Sequence, residues 1–227
     1  MDKFSENVVP SSNQNNGRFF RFGSEKGIKI LFAGNSVTKH APKPEIGWEK
    51  DCGMAASSIE NDYVHLFMDK VYKLDSQASF MIAQVADFES QCTWRPEIID
   101  AYREAENYDA DIVIMFFGAN VPLSYDTNEN PKKTFGEAVE ELRNILSNNG
   151  KSTVFISQGF FGRKKLDAEK KAVAEKYGDT YISLEHIIHR DETHGIFNHP
   201  SDCGMKEIAE TFFESVEPEI KRLLASK

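Results

Sequence analysis

Short apolar runs alternate with amphipathic runs along most of this chain, after a polar N-terminal stretch. The apolar runs are continuous and do not alternate with polar residues, which is typical of strands buried on both faces. Five strands are predicted in this way, at about residues 28–33, 80–85, 112–117, 153–157 and 180–184. Because helical patterns separate them, the chain is predicted to be an α/β protein with a mostly parallel five-stranded sheet covered on both faces.

The intervening segments carry helix signals of varying strength. Ser57 and Glu60 have the spacing of a capping box ahead of a helix that contains Val64, Phe67 and Val71. Further helices are predicted at about residues 96–106 and at 135–146, where Asn148-Asn149-Gly150 ends the second of them. Another predicted helix contains Ala172 and Val173 and ends at Gly178. The last begins at Ser201-Asp202 and is expected to kink or break at Pro218.

The order of elements favours a flavodoxin-like, doubly wound three-layer α/β/α sandwich. Ligands of such folds bind beyond the carboxyl ends of the strands, where the strand order switches. The loops after the first and third predicted strands meet there, so Ser36 and the segment after Phe117 are expected to be neighbours. Residues 89–94 follow the second strand and are predicted to lie on the same edge, while Phe88, Trp48 and Trp94 are interpreted as packing residues.

Composition narrows the classes of function. With 227 residues, the chain fits one full domain, predicted at 25–227 after an N-terminal extension at 1–24 whose first 17 residues are rich in Ser, Asn and Gln. Within this extension, residues 18–22 are interpreted either as a short strand or as a clip that packs against the body. A net charge of -9 and a pI of about 5.2 argue against nucleic acid or an anionic membrane as a partner. Oligomeric state stays open.

The cysteines and the N-terminal residues indicate in which cellular compartment the protein is expected. Cys52, Cys92 and Cys203 show no CxxC spacing, so neither a disulfide framework nor a zinc site is predicted. The N-terminus lacks the charged start and apolar core of a secretory signal, and the expected location is cytoplasmic.

The first predicted strand ends in Gly34-Asn35-Ser36, where chemistry is expected. A nucleotide site would need several glycines there, and the GxSxG elbow of α/β-hydrolases is absent because Thr38 takes the place of the second glycine. What remains is a serine at a strand end, followed by Gly53 in GMAASS, Asn120 in GAN and His199 in HPSD.

These four blocks, in this order over about residues 28–225, resemble the SGNH or GDSL family of hydrolases. The resemblance implies a metal-independent serine esterase without a cofactor, with Ser36 as nucleophile and His199 as base. It also implies an oxyanion hole formed by the backbone N–H groups of Ser36 and Gly53 and the side chain of Asn120. The implied substrate is a small-molecule ester, with an acetylated carbohydrate suggested by the family.

One position departs from the pattern. The acid of this family usually stands three residues before the histidine, where this chain has Ile196. Two alternatives stay open: the backbone carbonyl of Ile196 orients His199, or the carboxylate of Asp191, Glu192 or Asp202 does. Asp202 begins the last predicted helix, and its ordinary role would be an N-cap, so the dyad is preferred.

Alternative functions also stay open. The spacing of His186, His189, His194 and His199 matches no common zinc motif, so no metal site is predicted. A lipid esterase or thioesterase is the second enzymatic candidate, although no long apolar stretch is available to hold an acyl chain. A glycan- or ligand-binding protein that has lost turnover is the third, supported by the missing acid.

Overall fold

A computed structural model describes residues 6–9, 17–24, 26–127 and 130–226. It contains one sheet whose strands are β1 (Glu6–Val9), β2 (Phe19–Gly23), β3 (Lys29–Gly34), β4 (Ser79–Gln84), β5 (Ile112–Phe116), β6 (Thr153–Ser157) and β7 (Thr180–Ile182). Their order across the sheet is β1-β2-β4-β3-β5-β6-β7, and β3 to β7 run parallel. The parallel strands therefore follow the flavodoxin-like order, as predicted.

Helices cover both faces of the sheet. The α-helices are α1 (Tyr63–Tyr72), α2 (Ala86–Gln91), α3 (Phe135–Leu146), α4 (Lys164–Tyr177), α5 (Glu185–Ile188) and α6 (Asp202–Ala225). Short 3₁₀ segments lie at Pro44–Ile46, Ile59–Asn61, Leu123–Asp126, Asp191–Thr193 and Ile196–Asn198, and a longer one at Pro96–Tyr108. None of the described helices is long and apolar enough to cross a membrane.

Two apolar cores result from the alternation of side chains along the central strands. From β3, Ile30 and Phe32 face α1 and α6, where Phe32 makes an edge-to-face contact with Phe67 at 5.3 Å. Leu31 and Ala33 face the opposite core, which α3, α4 and the Pro96–Tyr108 helix complete. The three-layer α/β/α prediction is confirmed.

The predicted strand count was wrong, because two antiparallel strands extend the sheet beyond β4. Strand β2 pairs with β4, and its aromatic residues Phe19, Phe20 and Phe22 are buried. Strand β1 pairs in turn with β2. Burial of these aromatic rings stabilises the strand, although most of the surrounding segment is polar. Residues 1–5, 10–16 and 25, within and beside the predicted extension, lie outside the described residues, and the boundary at residue 24 stays a prediction.

The predicted cap of one helix was wrong, and the break that was one alternative at Pro218 is absent from the described helix. Helix α1 is capped by Asp62, whose carboxylate accepts the N–H of His65 at 2.9 Å, and not by a Ser57–Glu60 box. Helix α6 continues through Pro218 to Ala225, because residues on both sides of the proline, Val216 and Ile220, stay packed in the core.

A buried lysine ties two strand ends together. The Lys170 ammonium, on α4, donates to the carbonyl oxygens of Phe117 and Ser157, each at 2.7 Å, and lies 3.1 Å from Asp167. Its side chain is fully buried, so these three acceptors replace its water shell. The contact fixes the carboxyl ends of β5 and β6 relative to each other.

Replacing Lys170 with Ala is therefore expected to lower the free energy of unfolding by about 3 to 5 kcal/mol, since a buried carboxylate and two carbonyls lose their partner. Denaturation in urea measures it. Lys171→Ala, an exposed position on the same helix, is the matched control and should change stability by less than about 0.5 kcal/mol. Equal stability of the two variants would show that the buried ammonium is not a structural tie.

Candidate active site

Ser36 lies in the turn that follows β3. Asn35 closes this turn, because its carbonyl accepts the N–H groups of Thr38 at 2.9 Å and Lys39 at 3.0 Å. Its side-chain oxygen accepts the N–H of Val37 at 3.1 Å. Glycine is required at position 34, where a Cβ would stand 1.7 Å from the Thr38 hydroxyl. The turn thus fixes Ser36 at the carboxyl edge of the sheet.

His199 lies on a closed loop just before α6. The loop is held by an antiparallel bridge between His194 and Pro200 and by a hydrogen bond from Gly195 N–H to the His199 carbonyl at 2.6 Å. At its tip, Phe197 and Asn198 both adopt positive φ, 55° and 58°. A left-handed backbone is unusual for a bulky residue such as phenylalanine, and such conformations concentrate at functional sites.

The loop brings His199 to Ser36. The hydroxyl oxygen of Ser36 lies 2.8 Å from His199 Nε2, and His199 Nδ1 lies 2.9 Å from the carbonyl oxygen of Phe197. A carbonyl only accepts hydrogen bonds, so Nδ1 carries the proton of the neutral ring. Nε2 is then an acceptor and points its lone pair at the Ser36 hydroxyl. The ring nitrogen that would face a carboxylate in a Ser-His-acid triad faces a backbone oxygen instead.

The surroundings favour the neutral form of this imidazole. Burial lowers the pKa of His199 below its ordinary value of 6.5, the hydrogen bond to Phe197 raises it in part, and nearby His40 lowers it further. The ring also meets Phe161 edge-on at a centroid distance of 5.1 Å. At neutral pH the ring is therefore in the state that can accept a proton.

The residues considered as orienting groups for His199 lie elsewhere. The carbonyl of Ile196 accepts the backbone N–H of His199 at 3.0 Å, not its ring, because the left-handed turn advances the ring to the next carbonyl, that of Phe197. Asp202 accepts from the N–H and hydroxyl of Ser57 at 2.7 and 2.5 Å. Glu192 pairs with Arg190, and the exposed Asp191 starts a short 3₁₀ helix. Asp202 is not the N-cap either, since Ser201 caps α6.

Gly53 lies in a crowded part of the site. A Cβ at this position would stand 2.5 Å from the carbonyl oxygen of Val37, so only glycine fits. Its N–H donates to the buried carboxylate of Asp62 at 3.1 Å, and the next N–H, of Met54, donates to the Ser36 carbonyl at 2.8 Å. The predicted oxyanion donor is thus already engaged, and an oxyanion would share it with Asp62.

Asn120 lies at the neighbouring strand end, after β5. Its side-chain nitrogen donates to Glu89 at 2.6 Å, and Glu89 is fully buried. An amide nitrogen has two hydrogens, so the bond to Glu89 leaves the second N–H available for another acceptor. In the part of the chain that the structure describes, no hydrogen bond involves the N–H of Ser36.

A cavity of about 300 Å³ joins these groups. Ser36, Asn120 and His199 line it together with Lys39, His40, Gln84 and the N-terminal residues Gly17 and Phe20. The wall is mixed in polarity and the volume lies at the lower end of the range for small-molecule sites. The cavity is therefore of a size to take a small polar ligand beside the Ser36 hydroxyl.

The other histidines and aromatic residues occupy separate positions. Hydrogen bonds join His186 to Thr211, His189 to Glu185, and His194 to the carbonyl of Ile188. The described residues contain no group of three His, Cys, Asp or Glu side chains placed to hold a metal ion. Trp48 and Phe88 are buried, whereas Trp94 is 53% exposed.

This architecture is similar to that of several solved structures. No protein-family model matches the chain, and no curated protein does. Among solved structures, a family two carbohydrate esterase from Clostridium thermocellum in complex with cellohexaose gives a TM-score of 0.57 at 16% identity over 86% of this chain. A protein classed as a GDSL-like lipase from Bacteroides uniformis gives 0.57 at 15% over 85%. An aryl esterase from M. smegmatis gives 0.53 at 12% over 85%.

The chain has the fold of GDSL-type hydrolases. It covers 96% of the Bacteroides protein and 99% of the M. smegmatis protein. It spans 65% of the Clostridium chain, less than two thirds of its length.

Three residues at the site of this GDSL-type fold were not predicted from sequence: Asp62, Glu89 and Phe197. Asp62 was not predicted as the cap of α1, because Ser57 and Glu60 have the spacing of a capping box. The carbonyl of Phe197 has no sequence signal, because it depends on the backbone and not on the side chain. For Glu89 a signal exists, since it is a charged residue directly after Phe88 at the carboxyl edge of the sheet.

Proposed function

We propose that the protein is a serine ester hydrolase that works through an acyl-enzyme. The observation that carries this proposal is the chain of hydrogen bonds from the Ser36 hydroxyl to His199 Nε2 and from Nδ1 to the Phe197 carbonyl. The likeness of fold to carbohydrate esterases and an aryl esterase supports it. No metal is needed in this scheme, because the two side chains supply the nucleophile and the proton transfer.

Each step follows from the donor and acceptor roles. Neutral His199 takes the proton of Ser36 through Nε2 as the oxygen attacks the ester carbonyl, and the Phe197 carbonyl stabilises the resulting imidazolium through Nδ1–H. The imidazolium then protonates the leaving alcohol. Water, activated by the same ring, adds to the acyl group on Ser36 and releases the acid.

The developing oxyanion needs fixed N–H donors. We assign the backbone N–H of Ser36 and the second side-chain N–H of Asn120 as these donors, with the N–H of Gly53 shared with Asp62. Loss of one such donor typically removes about 3 to 4 kcal/mol of transition-state stabilisation. Asn120 is therefore assigned a larger role than a turn residue would have.

The cavity favours a small acyl ester, and we propose an acetylated carbohydrate as the substrate class. Its volume of about 300 Å³ suits a short acyl group with a small polar alcohol better than a long acyl chain. Three residues with polar side chains, Lys39, His40 and Gln84, line the same cavity. The Clostridium esterase was solved in complex with cellohexaose, which agrees with a carbohydrate ligand in this fold.

Hydrolysis of p-nitrophenyl acetate by purified protein tests the proposal. Ser36→Ala should lower kcat at least about a thousandfold, because the nucleophile is removed while the fold is kept. A fluorophosphonate should label Ser36, as located by peptide mass spectrometry. Ser215→Ala, in α6 and bonded to the Thr211 carbonyl, is the control and should keep full activity. Equal rates for the wild type and Ser36→Ala would refute the esterase and leave a binding role.

The acid side of the pH profile gives a second prediction. Only neutral His199 acts as a base, and its pKa lies below 6.5, so kcat/KM should fall with decreasing pH with a midpoint below 6.5. Because His40 lowers this pKa, His40→Ala should move the midpoint upwards. A wild-type midpoint above 6.5 would contradict the buried, neutral imidazole.

A further inference from the structure

Glu89 is a fully buried carboxylate at the edge of the sheet where Ser36 lies. It belongs to α2, directly after β4, and its relative exposure is 0%. A carboxylate is rarely placed in the interior unless its oxygens are satisfied by hydrogen bonds or ion pairs. The proposed mechanism does not use it as an acid or a base, so its burial calls for another explanation.

Its two oxygens accept N–H groups from the segments that follow two other strands, β3 and β5. Oε1 accepts from the side chain of Asn35 at 3.0 Å, from the N–H of Gly118, and from the N–H of Asn120 at 3.5 Å. Oε2 accepts from the side chain of Asn120 at 2.6 Å. Four donors match the acceptor capacity of an ionised carboxylate. One side chain thus connects the turn after β3 with the segment after β5.

The contact with Oε2 decides which way the Asn120 amide faces. An ionised carboxylate accepts and never donates, so the amide must turn its nitrogen, and not its oxygen, towards Glu89. One hydrogen of that nitrogen is then fixed on Glu89, which fixes the direction of the other. A neutral amide in place of Glu89 would offer both a donor and an acceptor, and the Asn120 amide would no longer be held in one orientation.

The contact with Asn35 acts on the nucleophile. Glu89 holds the Asn35 nitrogen, and the Asn35 oxygen is thereby directed to the N–H of Val37, the residue after Ser36. The Asn35 side chain therefore bridges the carboxylate to the turn that carries the hydroxyl. A shift of Glu89 would disturb the nucleophile and the oxyanion donor together.

We propose that Glu89 is a positioning residue that holds the Asn120 amide and the Ser36 turn in register, so that nucleophile and oxyanion donor face the same substrate carbonyl. The inference rests on the proposed esterase function. Burial raises the pKa of Glu89, and the bonds from Asn120, Asn35 and the Gly118 N–H oppose that rise. These donors favour the ionised form, in which both oxygens accept.

A double-mutant cycle between Glu89 and Asn120 tests this inference, with p-nitrophenyl acetate as substrate. In the wild-type background, Glu89→Gln should lower kcat by about ten- to a hundredfold with KM changed less than about threefold, since an interaction made in the transition state is weakened. In the Asn120→Ala background, the same change should lower kcat by less than about threefold, because the amide that Glu89 orients is already gone.

Glu169→Gln is the matched control. Glu169 is a partly buried carboxylate that accepts a backbone N–H, from Gly136 at 2.6 Å, and the Tyr125 hydroxyl at 2.9 Å, at a different part of the surface. It should leave kcat unchanged even where it lowers the melting temperature. If Glu89→Gln gives too little folded protein, Glu89→Asp replaces it in the same cycle. Aspartate keeps the negative charge, but its side chain is one methylene group shorter, so the carboxylate lies farther from the Asn120 amide.

The outcomes separate this inference from the proposed function. If hydrolysis does not depend on Ser36, the esterase itself fails. If hydrolysis depends on Ser36 but Glu89→Gln keeps the wild-type kcat, or lowers it by equal factors in both backgrounds, the positioning role of Glu89 is refuted and its role is structural. A loss of kcat on Glu89→Gln that appears in the wild-type background and not in the Asn120→Ala background supports the inference.

Discussion

The hydrogen bond between the Phe197 carbonyl and His199 Nδ1 is the interaction on which the site depends. It fixes the tautomer of the imidazole, and the tautomer determines whether Ser36 meets a donor or an acceptor. A carbonyl carries a partial charge, so it stabilises an imidazolium less than a carboxylate does. Its advantage is rigidity, because two left-handed residues in a bridged loop leave the oxygen little freedom.

Carboxylates are nevertheless present at the site, with a different role. Asp62 and Glu89 are both fully buried, and each accepts N–H groups from a loop that lines or supports the cavity. Asp62 also accepts from the ring and the backbone of His65, which ties the Gly53 loop to the start of α1. The two carboxylates thus hold N–H donors in place around Ser36, and a backbone carbonyl holds the His199 ring.

The sequence predicted the central parallel strands because each is a continuous apolar run, and their order placed Ser36 beside the segment after Phe117. It left open whether residues 18–22 form a short strand or a packed clip, and it did not predict β1, because the surrounding composition is polar. The N-cap of α1 was misassigned because a 3₁₀ turn at Ile59–Asn61 shifts the helix start past the Ser57 signal. The orientation of His199 depends on backbone dihedral angles, which residue types alone do not specify. Residues 89–94 were predicted to lie at this edge of the sheet, but no role was assigned to Glu89, because its burial depends on the packing around it.

The tautomer of His199 tests most directly whether the Phe197 carbonyl holds the imidazole ring. In protein labelled with ¹⁵N at histidine, two-bond and three-bond correlations between ring protons and nitrogens distinguish protonated from unprotonated nitrogens in the neutral ring. We predict that Nδ1 of His199 carries the proton and Nε2 does not, at a pH above the titration of the ring. A neutral ring protonated at Nε2 would show that the Phe197 carbonyl does not hold the base, and that Ser36 faces a donor.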